Sequence, residues 1–258
     1  MFKDQHVAVT GAAGAIGRAI AEMFIAGGAK VSICDLQDPS EVANEIGASG
    51  FTCDVSHEAS MQAFITAAQE TNGPLDIFVS NAGVGFGDPK HAADATNDQW
   101  ETSWQVNVMA SIYAARALFP DWIERGSGRF VITASAAGLL NQIGSASYSA
   151  TKHAAVGLAE NFAIMHKADG IQTHCICPQY VRSNMTKGNK FAEESKDGLL
   201  EPEDVANALK QAIADEQFLV LSHPVVGDYF HHKGGNYQAY IDGMAKLKSK
   251  VAKEDLPL

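Results

Sequence analysis

The sequence predicts a single-domain, doubly wound α/β fold: about seven parallel strands with helices on both faces. Three observations point to it. Short apolar runs alternate with amphipathic stretches along the 258 residues. The runs are apolar on both faces, as parallel strands covered on two sides must be. No repeat, low-complexity tract or linker divides the chain, and one domain of this length is ordinary.

The expected strands, in order, are His6 to Thr10, Lys30 to Asp35, Gly50 to Asp54, Leu75 to Ser80, Arg129 to Ser135, Ile171 to Cys177 and Gln217 to Ser222. Between them, Ile16 to Ala26 carries Ile16, Ile20, Met23 and Phe24 on one helical stripe and stops at Gly27-Gly28. Ser60 to Glu70 repeats the pattern and ends at Asn72-Gly73-Pro74. Thr96 to Glu124 is a long helical region that Pro120 should kink or divide. Ser147 to Lys167 follows, and Glu201-Pro202-Glu203-Asp204 opens a further helix with acids and a proline in its first turn. Trp100 and Trp104 are expected to pack a helix face.

Composition narrows the function. The 19 basic and 30 acidic side chains leave a formal charge of −11, which disfavours a nucleic-acid partner. The four cysteines are too few for a disulfide scaffold and lack CxxC spacing, so a metal site is not expected. Cys175 and Cys177 should share one strand face as small apolar groups. No basic-then-apolar leader and no long apolar run are read in the sequence, so the expected setting is cytoplasmic, with no membrane partner.

Two clusters carry chemistry. The first strand runs straight into Thr-Gly-Ala-Ala-Gly-Ala-Ile-Gly, residues 10 to 17. Glycines here permit a tight turn and close backbone approach, and the following helix start favours an anion such as a pyrophosphate. Asp35, at the end of the second strand, sits near the ~20-residue offset at which an acid binds a ribose hydroxyl. Further on, Tyr148 and Lys152 are four apart, on one helix face. A nearby ammonium lowers a phenol's pKa and makes it a usable base.

With these residues, the chain resembles the short-chain dehydrogenase/reductase family over nearly its whole length. The resemblance rests on the 10–17 turn, Asp54-Val55, Asn81-Ala82-Gly83, Asn107, Ser135, Tyr148 with Lys152, and Pro178 with Val181 and Ser183. It implies a Rossmann-like fold and a Ser-Tyr-Lys(-Asn) site. Tyr148 would be the catalytic acid/base, and Lys152 would lower its pKa and bind the nicotinamide ribose. Ser135 would polarise the substrate oxygen, and Asn107 would hold a relay water. Gly11, Gly14, Ala15, Ile16, Gly17, Asp35, Leu36, Asp54, Val55, Asn81, Ala82, Gly83, Pro178, Val181 and Ser183, with Tyr148 and Lys152, would hold the cofactor. Asp35 followed by Leu36, with no base beside it, implies NAD.

Three departures stand out. Ala15 occupies the family's middle glycine, Gln179 follows Pro178 where the family has glycine, and the tail from residue 223 to 258 lacks the family's Val-Asp-Gly-Gly ending. Residues 183–199, polar and glycine-interrupted, read as a substrate lid. Apolar candidates such as Leu139, Leu140, Phe191, Val225, Val226 and Phe230, with Gln142, Gln179 and Tyr180 as orienting groups, imply a hydrophobic secondary alcohol or its ketone. A homodimer or homotetramer is expected, its long helices paired through Ala114, Ala115, Ala154, Ala155 and Ala159. Two alternatives share the same cofactor site: an epimerase or dehydratase, and a non-catalytic dinucleotide sensor.

Overall fold

The structure, a computed structural model, describes residues 1–88, 90–188 and 190–250, with only the backbone of 190 and 191. The expected lid residue Asn189, the Phe191 side chain and tail residues 251–258 therefore lie outside the described residues.

Seven parallel strands form one sheet in the order β3-β2-β1-β4-β5-β6-β7. They are β1 (His6–Thr10), β2 (Lys30–Asp35), β3 (Ser49–Thr52), β4 (Ile77–Ser80), β5 (Gly128–Thr133), β6 (Ile171–Ile176) and β7 (Leu219–Val220). Strand order reverses between β1 and β4, and ligands of such sheets bind beyond the carboxyl ends of the strands at that point. Alternation along the strands divides the core. Ala8, Phe78 and Phe130 bury on one face with the helices α3 (Glu58–Asn72), α5 (Ala110–Arg125) and α7 (Ala146–His166). Val7, Val9, Ile33 and Val131 bury on the other, with α1 (Ala15–Ala26), α2 (Ser40–Ile46) and α9 (Pro202–Ala214).

Local chemistry explains the helix starts. At α9 the Glu201 side chain accepts from the backbone of Asp204, whose own carboxylate accepts from the Glu201 N–H, and Pro202 takes the first position. α4 (Asn97–Trp104) has the same reciprocal cap between Thr96 and Gln99. α1 differs: its N-cap is Gly14 and no side chain caps it.

Several expectations are corrected. β3 and β7 are shorter than predicted, and Asp54, Ser135, Cys177 and Ser222 fall in the loops beyond their strands. α2 went unread; it closes on Gly47 at φ 77°. Pro120 does not divide the long helical region. α5 runs through it, because burying Leu118, Phe119 and Trp122 outweighs a proline penalty of ~3 kcal/mol. The interruption comes earlier, as a π-helical turn over Gln105–Met109. Trp104 is exposed rather than packed. Ala114, Ala115, Ala155 and Ala159 are buried in the chain's own core, so they cannot be the small residues of a docking surface. The tail after Ser222 forms a pair of helices, α10 (Val225–Gly235) and α11 (Tyr237–Lys248).

Candidate active site

The carboxyl ends of β1, β2, β4, β5 and β6 bring the predicted residues to one edge. Thr10 ties the first turn to the loop after β4. Its Oγ1 accepts from the backbone N–H groups of Asn81 at 3.0 Å and Ala82 at 3.1 Å. The Asn81 amide donates back to the carbonyls of Thr10 and Gly11. Close approach explains two glycines. A Cβ at Gly11, whose φ is +64°, would lie 2.8 Å from the Ala82 Cα. A Cβ at Gly17 would lie 2.5 Å from the Gly11 carbonyl oxygen. Ala15 is the first residue of α1 and stands in helical conformation without strain, so this departure from the family's glycine is tolerated.

Asp35 braces the same turn. One carboxylate oxygen accepts from the Ala13 N–H at 3.0 Å and the other from the Leu36 N–H at 2.8 Å. A carboxylate offers about four acceptor positions, so two are still free for a ligand. Leu36 is exposed, and Val55 is buried in the core. The Asp54 carboxylate is turned onto the start of α3, accepting from the Ser56 N–H and hydroxyl and pairing with His57. Burial opposes its ionisation, but these partners hold its carboxyl below the usual range.

At the end of β5, Ser135 caps the one-turn helix α6 (Ala136–Leu139), its Oγ accepting from the Ala137 N–H at 3.1 Å. The same hydroxyl donates to the Pro178 carbonyl at 3.5 Å. Burial holds the phenol of Tyr148, on α7, above its ordinary value, and the neighbouring Ser135 hydroxyl pulls it down in part. The Lys152 Nζ stands 5.6 Å from the Tyr148 ring centroid and donates to the Thr133 carbonyl at 2.9 Å. Burial brings the Lys152 pKa down to about 8. Gly83 lies between Lys152 and Asn107: a Cβ there would be 3.3 Å from both Nζ and the Asn107 Oδ1.

Asn107 occupies the π-helical turn, a distortion frequent at functional sites. Its side chain accepts from the Val84 N–H and donates to the Val84 carbonyl, each at 2.9 Å, and also donates to the Thr151 hydroxyl at 3.0 Å. The side chain is thus committed to clasping the β4 loop against α7.

After β6, the Pro178 carbonyl accepts from the Ala136 N–H at 2.8 Å. Val181 bridges to Leu200, and the Ser183 N–H donates to Thr186 at 3.0 Å. A cleft of about 580 Å³ opens between the first turn and this segment, lined by Ala13, Ala15, Arg182, Ser183, Thr186 and Leu199. The Gln179 amide donates to Asp197 at 3.1 Å, and Asp197 also accepts from the Tyr229 hydroxyl at 2.9 Å. Gln179 is therefore first a tether between the end of β6 and the 183–199 segment. Burial, with Asp197 and Tyr229 alongside, pushes the Tyr180 phenol up to about 12. The Gln142 N–H donates to the Ser149 hydroxyl at 2.9 Å. Of the apolar tail candidates, Val226 is buried in the core and Phe230 points to solvent.

The family model described as short chain dehydrogenase matches residues 5–194. The chain belongs to the short-chain dehydrogenase/reductase family. Its relatives within that family include the mitochondrial borneol dehydrogenase of Lavandula x intermedia, 32% identical over 85% of this chain and 87% of that one. The 3beta-hydroxysteroid dehydrogenase 2 of Eggerthella lenta is 32% identical over 75% of this chain and 77% of its own. Among solved structures, a short-chain dehydrogenase/reductase from Burkholderia phymatum in complex with NAD superposes with a TM-score of 0.81 at 26% identity, covering 92% of this chain and 95% of that one. The seven-stranded parallel sheet is thus that of a short-chain dehydrogenase/reductase oxidoreductase. Among the described residues, no helix is long and apolar enough to cross a membrane.

Sequence reasoning missed Thr10, Thr151, Asp197 and Lys233. The two threonines lie inside motifs already singled out, and their hydroxyl partners come from distant loops. Asp197 and Lys233 carry no local signal, since such residues are ordinarily solvated.

Proposed function

We propose that this chain is an NAD-dependent dehydrogenase that interconverts a hydrophobic secondary alcohol and its ketone. The observation that carries the reading is the convergence of Ser135, Tyr148 and Lys152 at the carboxyl edge of the sheet, with the Lys152 Nζ 5.6 Å from the Tyr148 ring centroid. The residues present fit a dinucleotide. Side chains at Gly11 and Gly17 would fill the turn, α1 begins without a side-chain cap, and Asp35 stands beside the turn with acceptor positions to spare.

When bound, NAD supplies the hydride acceptor and a nearby positive charge. The chain's residues supply the rest. Ser135 donates to the substrate oxygen and orients it. Tyr148, as phenolate, takes the hydroxyl proton as the carbonyl forms, and returns it in the reductive direction. Lys152 favours that phenolate by its charge. Gly11, Gly14, Ala15, Ile16 and Gly17 would hold the pyrophosphate. Asn81 to Gly83, Pro178, Val181 and Ser183 would hold the nicotinamide end, and Asp54 and Val55 the adenine.

Two features support NAD over NADP. Asp35 repels a 2′-phosphate, by about 1 to 4 kcal/mol at ~4 Å depending on the effective dielectric. Arg18, the nearest base, is engaged by Glu22 and Glu45 at 2.9 Å each. The kcat/KM ratio should favour NAD by at least about fivefold. A preference for NADP refutes the cofactor assignment.

The substrate reading draws on Leu139 and Leu140 in the wall after Ser135, and on relatives named for borneol and a hydroxysteroid, alcohols on apolar rings. Arg182 is held by Glu201, which disfavours a phosphate clamp. A matched panel of apolar, polyol and phosphorylated alcohols tests it: the best kcat/KM should belong to an apolar ring alcohol. A homodimer, two-fold through exposed faces of α5 and α7, accompanies this reading.

A further inference from the structure

The tail that replaces the family's usual ending sends one charged side chain inward. Lys233, on α10, is 7% exposed. Its ammonium donates to the carbonyls of Leu139 at 2.7 Å and Leu140 at 3.1 Å. Its third contact is His153 Nε2 at 3.2 Å. The His153 ring is in the right tautomer to accept: Nδ1 lies 2.8 Å from the Ser149 carbonyl, which can only receive a proton, so Nδ1 carries the hydrogen and Nε2 the lone pair. All three ammonium N–H groups are thereby used. The rings of Tyr237 and Tyr240 on α11 flank the charge at 5.5 Å each.

What Lys233 holds matters. Leu139 and Leu140 close α6, the one-turn helix whose N-cap is Ser135. A single helical turn is marginal by itself, because nucleation is unfavourable and its terminal carbonyls lack partners. At one end α6 is fastened by Ser135 and by the Pro178 carbonyl. At the other it is fastened by Lys233. Its middle lies hard against α7: a Cβ on Gly138 would stand 2.5 Å from the Lys152 carbonyl oxygen. One turn of helix therefore joins Ser135, the backbone of Lys152 and the tail.

We propose that Lys233 is a positioning residue of this active site: by pinning the far end of α6 it fixes the Ser135 hydroxyl and the Leu139–Leu140 wall against the substrate. The proposal rests on the catalytic reading of Ser135 above. Tyr229, one turn earlier on α10, reaches the lid segment through Asp197, so the same helix tethers both walls of the substrate end. The tail is then part of the site and not an appendage.

The test is Lys233→Met, which keeps the length of the stem and removes the donors. Amide exchange should rise across residues 136–142 and stay unchanged in β1, β4 and α1. With NAD and borneol or another alcohol of the panel that turns over, kcat should fall at least tenfold and the alcohol KM should rise. The KM for NAD should stay within twofold. Unchanged exchange over 136–142 overturns the proposal, as does raised exchange with kcat and the alcohol KM intact, which would make Lys233 a structural tether only. If Lys233→Met does not fold, His153→Phe, which removes one acceptor, reads the same exchange and the same kinetic split at smaller amplitude. If the native protein oxidises no alcohol, the redox reading fails, and the exchange measurement by itself still decides whether Lys233 pins α6.

Discussion

Tyr148→Phe is expected to lower kcat by at least ~10²–10⁴-fold, the range of general acid–base catalysis, with NAD affinity unchanged. The substitution removes one oxygen, the only atom of Tyr148 positioned to exchange a proton with the substrate beside Ser135. The ring keeps its packing, so folding should not suffer. Because burial holds the phenol above its ordinary value, the free protein stores it protonated. Alcohol oxidation by the native protein should therefore speed up as pH rises toward the phenol's range, and the Phe variant should lose that dependence. Steady-state rates across pH, with NAD binding followed by fluorescence, check both statements.

Lys152→Met is expected to remove turnover and yet stabilise the fold. A buried ammonium with one carbonyl partner is costly: its pKa falls from the ordinary 10.5 to about 8. The sign follows from proton binding. Between those two values the unfolded chain binds more protons than the folded one, so stability rises with pH across that window. Below pH 8 the destabilisation is present in full, on the order of 3 kcal/mol before any discount for the Thr133 carbonyl left without its donor. Thermal melts at neutral pH should show the Met variant a few degrees above the native protein, and the difference should close as pH approaches 10.5. A lower Tm for the variant at neutral pH would contradict this. A residue kept at such a cost is the signature of a functional charge.

Much of the fold was legible because strand periodicity is strong where both faces are buried. β1 and β2 begin and end where the apolar runs do. The short β7, by contrast, pairs with β6 through Leu219 and Val220 alone, and a longer apolar run masked that. Pro120 misled because local propensity is a weak prior against the burial of Trp122 and its neighbours. At the site, glycines and the Tyr148–Lys152 pair could be read from spacing, since both depend on local geometry. The side-chain partners of Asn107 and the role of Thr10 could not, because Val84, Thr151, Asn81 and Ala82 come from other elements. Lys233 is the extreme case. It reaches a residue 94 positions away in sequence, and nothing in the local pattern of the tail marks that partner.

The central claim is that Ser135, Tyr148 and Lys152 carry out alcohol oxidation coupled to NAD. The most direct measurement uses an apolar ring alcohol deuterated at its carbinol carbon. The native protein with NAD should yield ketone and singly deuterated NADH in equal amounts, and Tyr148→Phe should yield neither at a comparable rate. Ketone formed without transfer of the deuterium to NADH, or label transfer that Tyr148→Phe leaves undiminished, would contradict the account.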